Sequence, residues 1–120
     1  MRLMVLAAAG AATVFTRVEI VGDSMLPTLE QGDRLVVLRF GHRRRLRLGD
    51  LVTVRDPRGD GHRRVLVKRV ADVDREGVEL TGDNPEASTD SRSFGRVPLG
   101  SVTGKVLYRY APAPRAGVVH

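Results

Sequence analysis

Cysteine and tryptophan are both missing from the 120 residues of this sequence, and aromatic residues make up only 4% of it. Without cysteine the chain has no disulfide, no thiolate nucleophile and none of the usual structural zinc sites. With so few aromatic rings, it offers little on which the bases of single-stranded nucleic acid can stack. We therefore expect no specific nucleic-acid partner, and the candidate nucleophiles are serine and threonine hydroxyls.

Lysine is scarce as well. The chain has 20 basic and 14 acidic residues, for a formal charge of +6, and every basic residue except Lys68 and Lys105 is an arginine. Such an excess attracts phosphates and anionic lipids. The histidines lie in an arginine-rich loop, in a glycine-rich turn and at the end of the sequence: His42, His62 and His120. This placement disfavours a Ser-His-Asp triad and makes lysine the base to consider.

Long hydrophobic runs are also lacking. The apolar run from Leu3 to Phe15 has 13 residues, of which five are alanine. A helix of this length rises about 20 Å, less than the roughly 30 Å of a bilayer's hydrocarbon core. We predict that residues 1–16 form a short helix and a marginal membrane anchor. A soluble helix and a cleaved secretory signal are the alternatives.

The rest of the chain is rich in β-strand patterns. Short β-branched or alternating runs are separated by turns that contain glycine, aspartate and proline. The runs read RVEIVG, DRLVVLRF, DLVTVRD, RVLVKRVADV, GVELTG and GSVTGKVLYRY. We predict a mainly β fold, an antiparallel sheet or small barrel with one short N-terminal helix. The length suits a single domain, to which we assign residues 17–111, and we expect the Pro- and Ala-rich residues 112–120 to form a loose tail.

The stretch VLVKRV places Lys68 inside one of these predicted strands. Because side chains alternate along a strand, Leu66, Lys68 and Val70 share one face. If that face is buried, desolvation disfavours the ammonium form and lowers the pKa of Lys68, so that the neutral amine accepts a proton. Arginine stays protonated and does not do this. The alternative is a lysine that extends from a strand edge into solvent.

A Gly-Asp-Ser-Met turn with a following proline precedes this strand in the sequence. Such a step is often an ordinary turn whose side chains bond nearby backbone. It also suits a nucleophile loop, because Gly22 permits close backbone approach and Pro27 stiffens the exit. In that interpretation Ser24 is the nucleophile, and apolar Met25 keeps the loop partly dry.

A third stretch, TGDNPEASTDSRSFG, follows the strand and is dense in hydrogen-bonding side chains. One interpretation is a polar surface loop with an Asx-turn at Asp83-Asn84 and an ion pair between Asp90 and Arg92. The other is a set of supporting groups in which a hydroxyl such as Ser88 orients the lysine amine.

Taken in order, the stretches GDSMLPTLEQGDRLVV, LVKRV and GDNPEASTDSRSFG resemble the signal peptidase I family of Ser-Lys proteases. The resemblance covers roughly residues 18–110. The first and third stretches are specific motifs, whereas LVKRV is short and depends on its position between them. The resemblance implies a partly barrel-shaped β domain of the signal peptidase and LexA type, and a serine endopeptidase that needs no metal or organic cofactor.

The resemblance also implies roles for individual residues. Ser24 is the nucleophile and its amide contributes to the oxyanion hole, Lys68 is the general base, and Ser88 hydrogen-bonds the lysine. A second group braces the site, namely Asp83, Asn84, Asp90 and Arg92. A third shapes the oxyanion region and the substrate cleft, namely Gly22, Met25 and Pro27. Some family members carry a serine at the position of Gly22, so that side-chain donor is missing here.

By the same resemblance, the substrate is a preprotein or leader peptide that binds as an added strand and is cleaved after small residues. The enzyme is then associated with a membrane, with its active site outside the cytoplasm. Small members that resemble this chain are assigned to the maturation of nickel superoxide dismutase, so a dedicated, cytoplasmic maturation protease is an alternative. From another class, the stretch HRRRLR, His42 to Arg47, suggests a basic module that binds anionic lipid or nucleic acid, unless it is a solvated loop.

Overall fold

A computed structural model describes residues 14–39, 46–57, 65–87, 89 and 91–120 of the chain. Within these residues each of the six predicted runs forms a strand. The strands are β1 (Val14–Glu19), β2 (Arg34–Arg39), β3 (Leu51–Arg55), β4 (Val65–Asp74), β5 (Gly77–Thr81) and β6 (Val102–Ala111). The short helical segments are α1 (Ser91–Phe94) and 3-10 turns at Pro85–Ala87, Leu99–Ser101 and Ala113–Arg115. The prediction of a mainly β fold is confirmed.

The six strands form one antiparallel sheet in the order β1-β2-β6-β3-β4-β5. The last strand in sequence, β6, lies in the middle, between β2 and β3. In the described part of the chain, β1 and β5 are the edges, so the sheet does not close into a complete barrel. On the free edge of β5, Val78 forms two backbone hydrogen bonds with Val97, at 2.8 and 3.0 Å. This short bridge covers part of that edge.

Two apolar clusters pack on the sheet. The Met25 cluster contains Ile20, Met25, Leu29, Leu35, Val37, Leu51, Val67 and Val106. The Val70 cluster contains Leu46, Val52, Val54, Val70, Val78, Leu80, Val97 and Val102. Strand β4 contributes Val67 to the first and Val70 to the second, and its partner β3 divides Leu51 and Val52 in the same way. Strands β3 and β4 therefore have buried residues on both faces, in keeping with their largely apolar sequences LVTVR and VLVKRVADVD.

The first strand begins earlier than predicted. Residues 14–16, which we assigned to the N-terminal apolar segment, pair in register with Arg39, Leu38 and Val37 of β2. Val14, Phe15 and Thr16 are β-branched or aromatic, and such residues favour a pleated strand once a partner strand is available. The predicted N-terminal helix and anchor lie otherwise outside the described residues. No helix in the described part of the chain is long and apolar enough to cross a bilayer.

Residues 112–120 make more contacts than their composition predicts. Arg109 and Gly117 exchange backbone hydrogen bonds of 2.8 and 2.9 Å, which turns the segment back along β6. Val119 then packs against the Met25 cluster. The expectation of a loose tail, based on proline and alanine content, does not anticipate these contacts, because they depend on partners far away in the sequence.

Candidate active site

The loop between β1 and β2, residues 20–33, contains the predicted nucleophile, and we call it the Ser24 loop. Its two ends are tied together, because the Ile20 amide donates to the Asp33 carbonyl at 2.8 Å and the Gly32 amide donates back to Ile20 at 2.9 Å. Inside it, the amides of Leu26 and Leu29 donate to the carbonyls of Asp23 and Met25, at 3.2 and 2.9 Å. Ser24 lies half-buried within this hydrogen-bonded turn.

Gly22 occupies the loop for a conformational reason. Its φ angle is +87°, in the left-handed region that side chains rarely adopt, and a Cβ placed on it meets no atom within 4 Å. Glycine is therefore favoured by the backbone angle. Close approach of a substrate backbone to Gly22 stays a prediction.

The Ser24 loop is bound to the segment that follows β5. The Asn84 amide donates to the Ser24 carbonyl at 2.9 Å, and the Asn84 side chain donates to the Asp23 carbonyl at 3.0 Å. The Asp83 amide points at the sulfur of Met25, at 3.4 Å. Asp83 and Asn84 therefore do more than form a local turn, because their contacts hold the backbone on both sides of the predicted nucleophile.

The Asp83 carboxylate also joins this segment to β4. Arg69 donates from Nε to Oδ1 at 2.9 Å and from Nη2 to Oδ2 at 2.7 Å, and Thr28 Oγ1 donates to Oδ2. Bidentate pairs of this kind fix geometry as well as charge. The hydrogen bond from Arg69 holds the pKa of the Asp83 carboxyl below its usual value, although partial burial opposes the shift. We did not single out Arg69 or Thr28 from the sequence. The available signal was the Lys-Arg step, which places an arginine on the face opposite Lys68.

Lys68 lies inside the protein. It pairs with Val52 across β3 and β4, and its residue is only 2% exposed. Leu66 and Val70, on the same face of β4, both pack in the Val70 cluster. The condition that we set for this lysine, burial of the Leu66 face, is therefore met. Lysine is rarely buried to this extent, and here it stands in a chain whose basic residues, apart from Lys68 and Lys105, are all arginines.

The remaining predicted site residues are distributed as follows. Met25 is buried in the Met25 cluster, whereas Pro27 is exposed beside it. Arg92 Nη2 donates to the Pro85 carbonyl at 3.1 Å. Ser88 and Asp90 lie outside the described residues, so the hydrogen bond from Ser88 to the lysine and the Asp90–Arg92 ion pair stay predictions.

The described residues contain no group of three or more His, Asp or Glu side chains placed to hold a metal ion. The predicted site residues that are described supply a hydroxyl, a buried amine, backbone amides and a carboxylate paired with Arg69. Of the basic stretch at His42 to Arg47, only Leu46 and Arg47 are described, and Leu46 is buried in the Val70 cluster.

Comparison with known proteins places this site in a family context. Residues 1–81, which include Ser24 and Lys68, match the family model described as "Signal peptidase, peptidase S26". The mitochondrial ATP-independent inner membrane protease subunit 1a of Arabidopsis thaliana is 38% identical over 117 residues, covering 76% of this chain and 67% of the relative. The probable signal peptidase I-1 of Synechocystis is 29% identical, covering 79% and 70%. The mitochondrial inner membrane protease subunit 1 of Schizosaccharomyces pombe is 32% identical, covering 78% and 71%.

Proposed function

Because the chain belongs to the signal peptidase family, peptidase S26, and is therefore a peptidase, we propose that it is a serine endopeptidase in which Ser24 is the nucleophile and Lys68 the general base. The observation that carries this proposal is the burial of Lys68, at 2% exposure, on the face of β4 where Leu66 and Val70 pack in the Val70 cluster. The next residue on the same strand, Arg69, binds the carboxylate of Asp83, whose neighbour Asn84 holds the backbone of Ser24.

Burial suits Lys68 to this role. Removal from water disfavours a charged ammonium, so a buried lysine supplies a neutral amine at a lower pH than an exposed one. A neutral amine accepts a proton from a serine hydroxyl, whereas a guanidinium does not. A general base that replaces histidine is also consistent with a sequence in which His42, His62 and His120 all lie outside the three stretches that resemble the family motifs.

The proposed reaction is acyl transfer in two steps. In the first, Lys68 takes the hydroxyl proton of Ser24, the serine oxygen bonds to the scissile carbonyl carbon, and the proton passes to the departing amine. In the second, Lys68 takes a proton from water, the resulting hydroxide bonds to the ester carbon, the ester C–O bond breaks to release the new C-terminal carboxyl group, and the Lys68 ammonium returns the proton to the Ser24 oxygen. The Ser24 amide stabilises the oxyanion in both steps.

The surrounding residues hold this arrangement. Asp83 and Asn84 fix the Ser24 loop against the strand pair β4–β5 through the contacts described above. Ser88 orients the lysine amine, while Asp90 pairs with Arg92 to brace the segment that carries Ser88. Gly22, Met25 and Pro27 shape the cleft and the oxyanion region beside the nucleophile.

The substrate is a signal or leader peptide with small residues before the cut. The names of the relatives, a signal peptidase and inner membrane proteases, support a membrane-associated enzyme, whose active site lies on the extracytoplasmic side. A cytoplasmic protease dedicated to one partner's leader, such as that of nickel superoxide dismutase, has the same site chemistry. Partition of the full chain into lipid vesicles separates the two assignments.

The test is peptidase activity of the full chain, in detergent and in vesicles, on a peptide with Ala-x-Ala before the cut. We expect Ser24→Ala and Lys68→Arg each to lower kcat/KM at least about a thousandfold. The matched control is Lys105→Arg, at the only other lysine, which is partly exposed and lies 3.4 Å from Asp50. This variant should retain wild-type activity, because a charge-preserving change matters only where the amine must titrate.

Two outcomes would contradict the proposal. Activity that survives both Ser24→Ala and Lys68→Arg would exclude the Ser-Lys mechanism. Equal losses in Lys68→Arg and Lys105→Arg would show that lysine replacement damages the fold in general, with no special role for Lys68. Cleavage of one partner's leader but not of the Ala-x-Ala peptide would assign the chain to the dedicated maturation proteases.

A further inference from the structure

A buried carboxylate lies at the foot of the Ser24 loop. Asp33 is 1% exposed, and its side chain accepts the backbone amide of Glu30 at 2.9 Å. Burial raises the pKa of the Asp33 carboxyl, but hydrogen bonds from Arg115, from the Glu30 amide and from Arg109 outweigh it and hold the pKa below its usual value. The group is therefore an anion that needs cationic partners, because an unpaired buried charge is strongly unfavourable.

The partners come from the other end of the chain. Arg109, on β6, donates from Nη1 to the Asp33 carboxylate at 2.8 Å. Arg115, in the segment after β6, donates to both carboxylate oxygens, at 3.1 and 3.0 Å, and also lies 3.2 Å from the carboxylate of Glu30. Arg109 Nε donates in turn to the Arg115 carbonyl. Both arginines therefore bind the Asp33 carboxylate, and the Arg109 side chain also binds the Arg115 backbone.

One of these arginines, Arg109, also reaches the part of the loop that follows Ser24. Arg109 Nη1 donates to the Thr28 carbonyl at 3.0 Å, while the Thr28 hydroxyl donates to Asp83. Thr28 is therefore held on its backbone by the Asp33 ion cluster and on its side chain by the Arg69–Asp83 pair. The loop is therefore held at Thr28 between the Arg109–Asp33 pair and the Arg69–Asp83 pair, whose members come from distant parts of the sequence.

The segment after β6 ends against the strand that carries the lysine. Val119 packs on the Met25 cluster beneath the loop, and Arg69 Nη2 donates to the His120 carbonyl at 3.2 Å. Residues 112–120 therefore contact the loop through Arg115, the cluster under it through Val119, and β4 through His120.

We propose that residues 112–120 act as a strap that positions the Ser24 loop against β4, and that Arg115 is its positioning residue. The inference rests on the proposed function for its catalytic consequence, but its structural consequence is independent of activity. Arg115 touches no reacting atom. It acts by restricting the loop backbone, and an ångström-scale displacement of a nucleophile costs rate without a matching loss of substrate binding.

Hydrogen exchange of the folded protein tests the strap without any substrate. The Leu26 and Leu29 amides, which are hydrogen-bonded inside the loop, should exchange about tenfold faster in Arg115→Ala than in wild type, the effect expected from losing hydrogen bonds between charged groups. The Val70 amide, bonded to the Asp50 carbonyl at 2.8 Å, should not change. The conservative variant Arg115→Lys, which keeps the charge, should restore part of the protection.

The matched control is Arg96→Ala. The Arg96 side chain is 30% exposed, close to the 32% of Arg115, and it also lies among carboxylates, those of Asp72, Asp74 and Glu79. None of its ion pairs involves the Ser24 loop, so loop exchange should match wild type. Unchanged exchange at Leu26 and Leu29 in Arg115→Ala would overturn the strap. A uniform increase that includes Val70 would also overturn it, because it would show a merely structural role.

The catalytic consequence is measured in the wild-type chain, provided that Ser24→Ala has abolished its peptidase activity. There, Arg115→Ala should lower kcat about tenfold and leave KM within about twofold, because the loop loses alignment and the substrate cleft persists. A wild-type kcat would overturn the positioning role. The proposed function fails if Ser24→Ala and Lys68→Arg leave the activity unchanged. The strap fails if Arg115→Ala leaves the hydrogen exchange of the Ser24 loop unchanged, whatever the activity shows.

Discussion

At the scale of single residues, the site depends on two neighbours that point in opposite directions. Lys68 shares its face of β4 with the Val70 cluster, whereas Arg69 lies on the other face and binds Asp83. Alternation along a strand makes this possible, because adjacent side chains meet different surroundings. The Lys68 amine and the Arg69 guanidinium therefore lie one residue apart, and the guanidinium is paired with the Asp83 carboxylate.

Gly77 offers a test of packing at this scale. A Cβ at Gly77 would lie 2.2 Å from the Val97 carbonyl oxygen, and its φ angle of +140° is unfavourable for other residues. We expect Gly77→Ala to lower the free energy of unfolding by about 2 kcal/mol or more, because the contacting atom is backbone and the Val78–Val97 bridge must shift. Denaturant unfolding measures the change.

Gly100 provides the matched control for that substitution. A Cβ there meets nothing within 4 Å, so Gly100→Ala should change the free energy of unfolding by less than about 0.5 kcal/mol. Similar losses in the two variants would show that the close approach at Val97 is not what Gly77 provides.

At the scale of elements, β4 is the strand on which the site and the core coincide. It carries Lys68 and Arg69, pairs with both β3 and β5, and contributes to both apolar clusters. An edge strand with one wet face would leave the lysine hydrated. Burial of β4 on both sides is therefore the property of the fold that gives this lysine its unusual surroundings.

Two valines of β4 test this description. Val67 is 8% exposed and packs in the Met25 cluster, whereas Val65, two residues earlier, is 47% exposed. Val67→Ala should cost about 2 kcal/mol of unfolding free energy through lost burial and an incompletely filled cavity. Val65→Ala should cost less than about 0.5 kcal/mol. Thermal and denaturant unfolding of the pair measure the difference, and equal costs would contradict the burial assigned to this strand.

At the scale of the whole molecule, two carboxylates hold distant parts of the chain together, and both are sensitive to acid. Asp33 and Asp83 have folded-state pKa values below the usual 3.8. The stability they contribute is therefore complete above their pKa in the unfolded chain, and it is lost as the pH falls through the lower pKa of the folded state. We expect the melting temperature to be steady from pH 7 to about pH 5 and to fall steeply below about pH 4.

The variant Asp83→Asn separates the acid sensitivity due to Asp83 from that due to Asp33. Because the amide does not titrate, this variant should be less stable than wild type at pH 7, and its melting temperature should fall less between pH 5 and pH 2. Melting curves across this range measure both effects. An equal fall in the two proteins would show that the Arg69–Asp83 pair contributes no acid sensitivity.

The strands could be predicted from sequence because local patterns encode them. The runs that became β2, β3 and β5 alternate or concentrate β-branched residues between Gly-Asp turns, and their bounds in the structure lie within one or two residues of the prediction. The start of β1 was placed too late, because Val14 and Phe15 look as much like the end of an apolar helix as the start of a strand. Only pairing with β2 distinguishes the two.

Sequence alone was sufficient for the family and the mainly β class, because motif order and strand periodicity are local properties that one chain displays directly, and it selected Ser24 and Lys68 as candidates whose roles stay predictions. It did not predict the partners that hold the site, which lie 55 residues apart for Thr28 and Asp83 and 82 apart for Asp33 and Arg115. Those contacts exist because the sheet inserts β6 between β2 and β3 and brings the segment after it beneath the Ser24 loop. An arginine on the surface of a basic chain gives no local sign of the buried carboxylate it will meet, so the choice of partner belongs to the folded arrangement of strands.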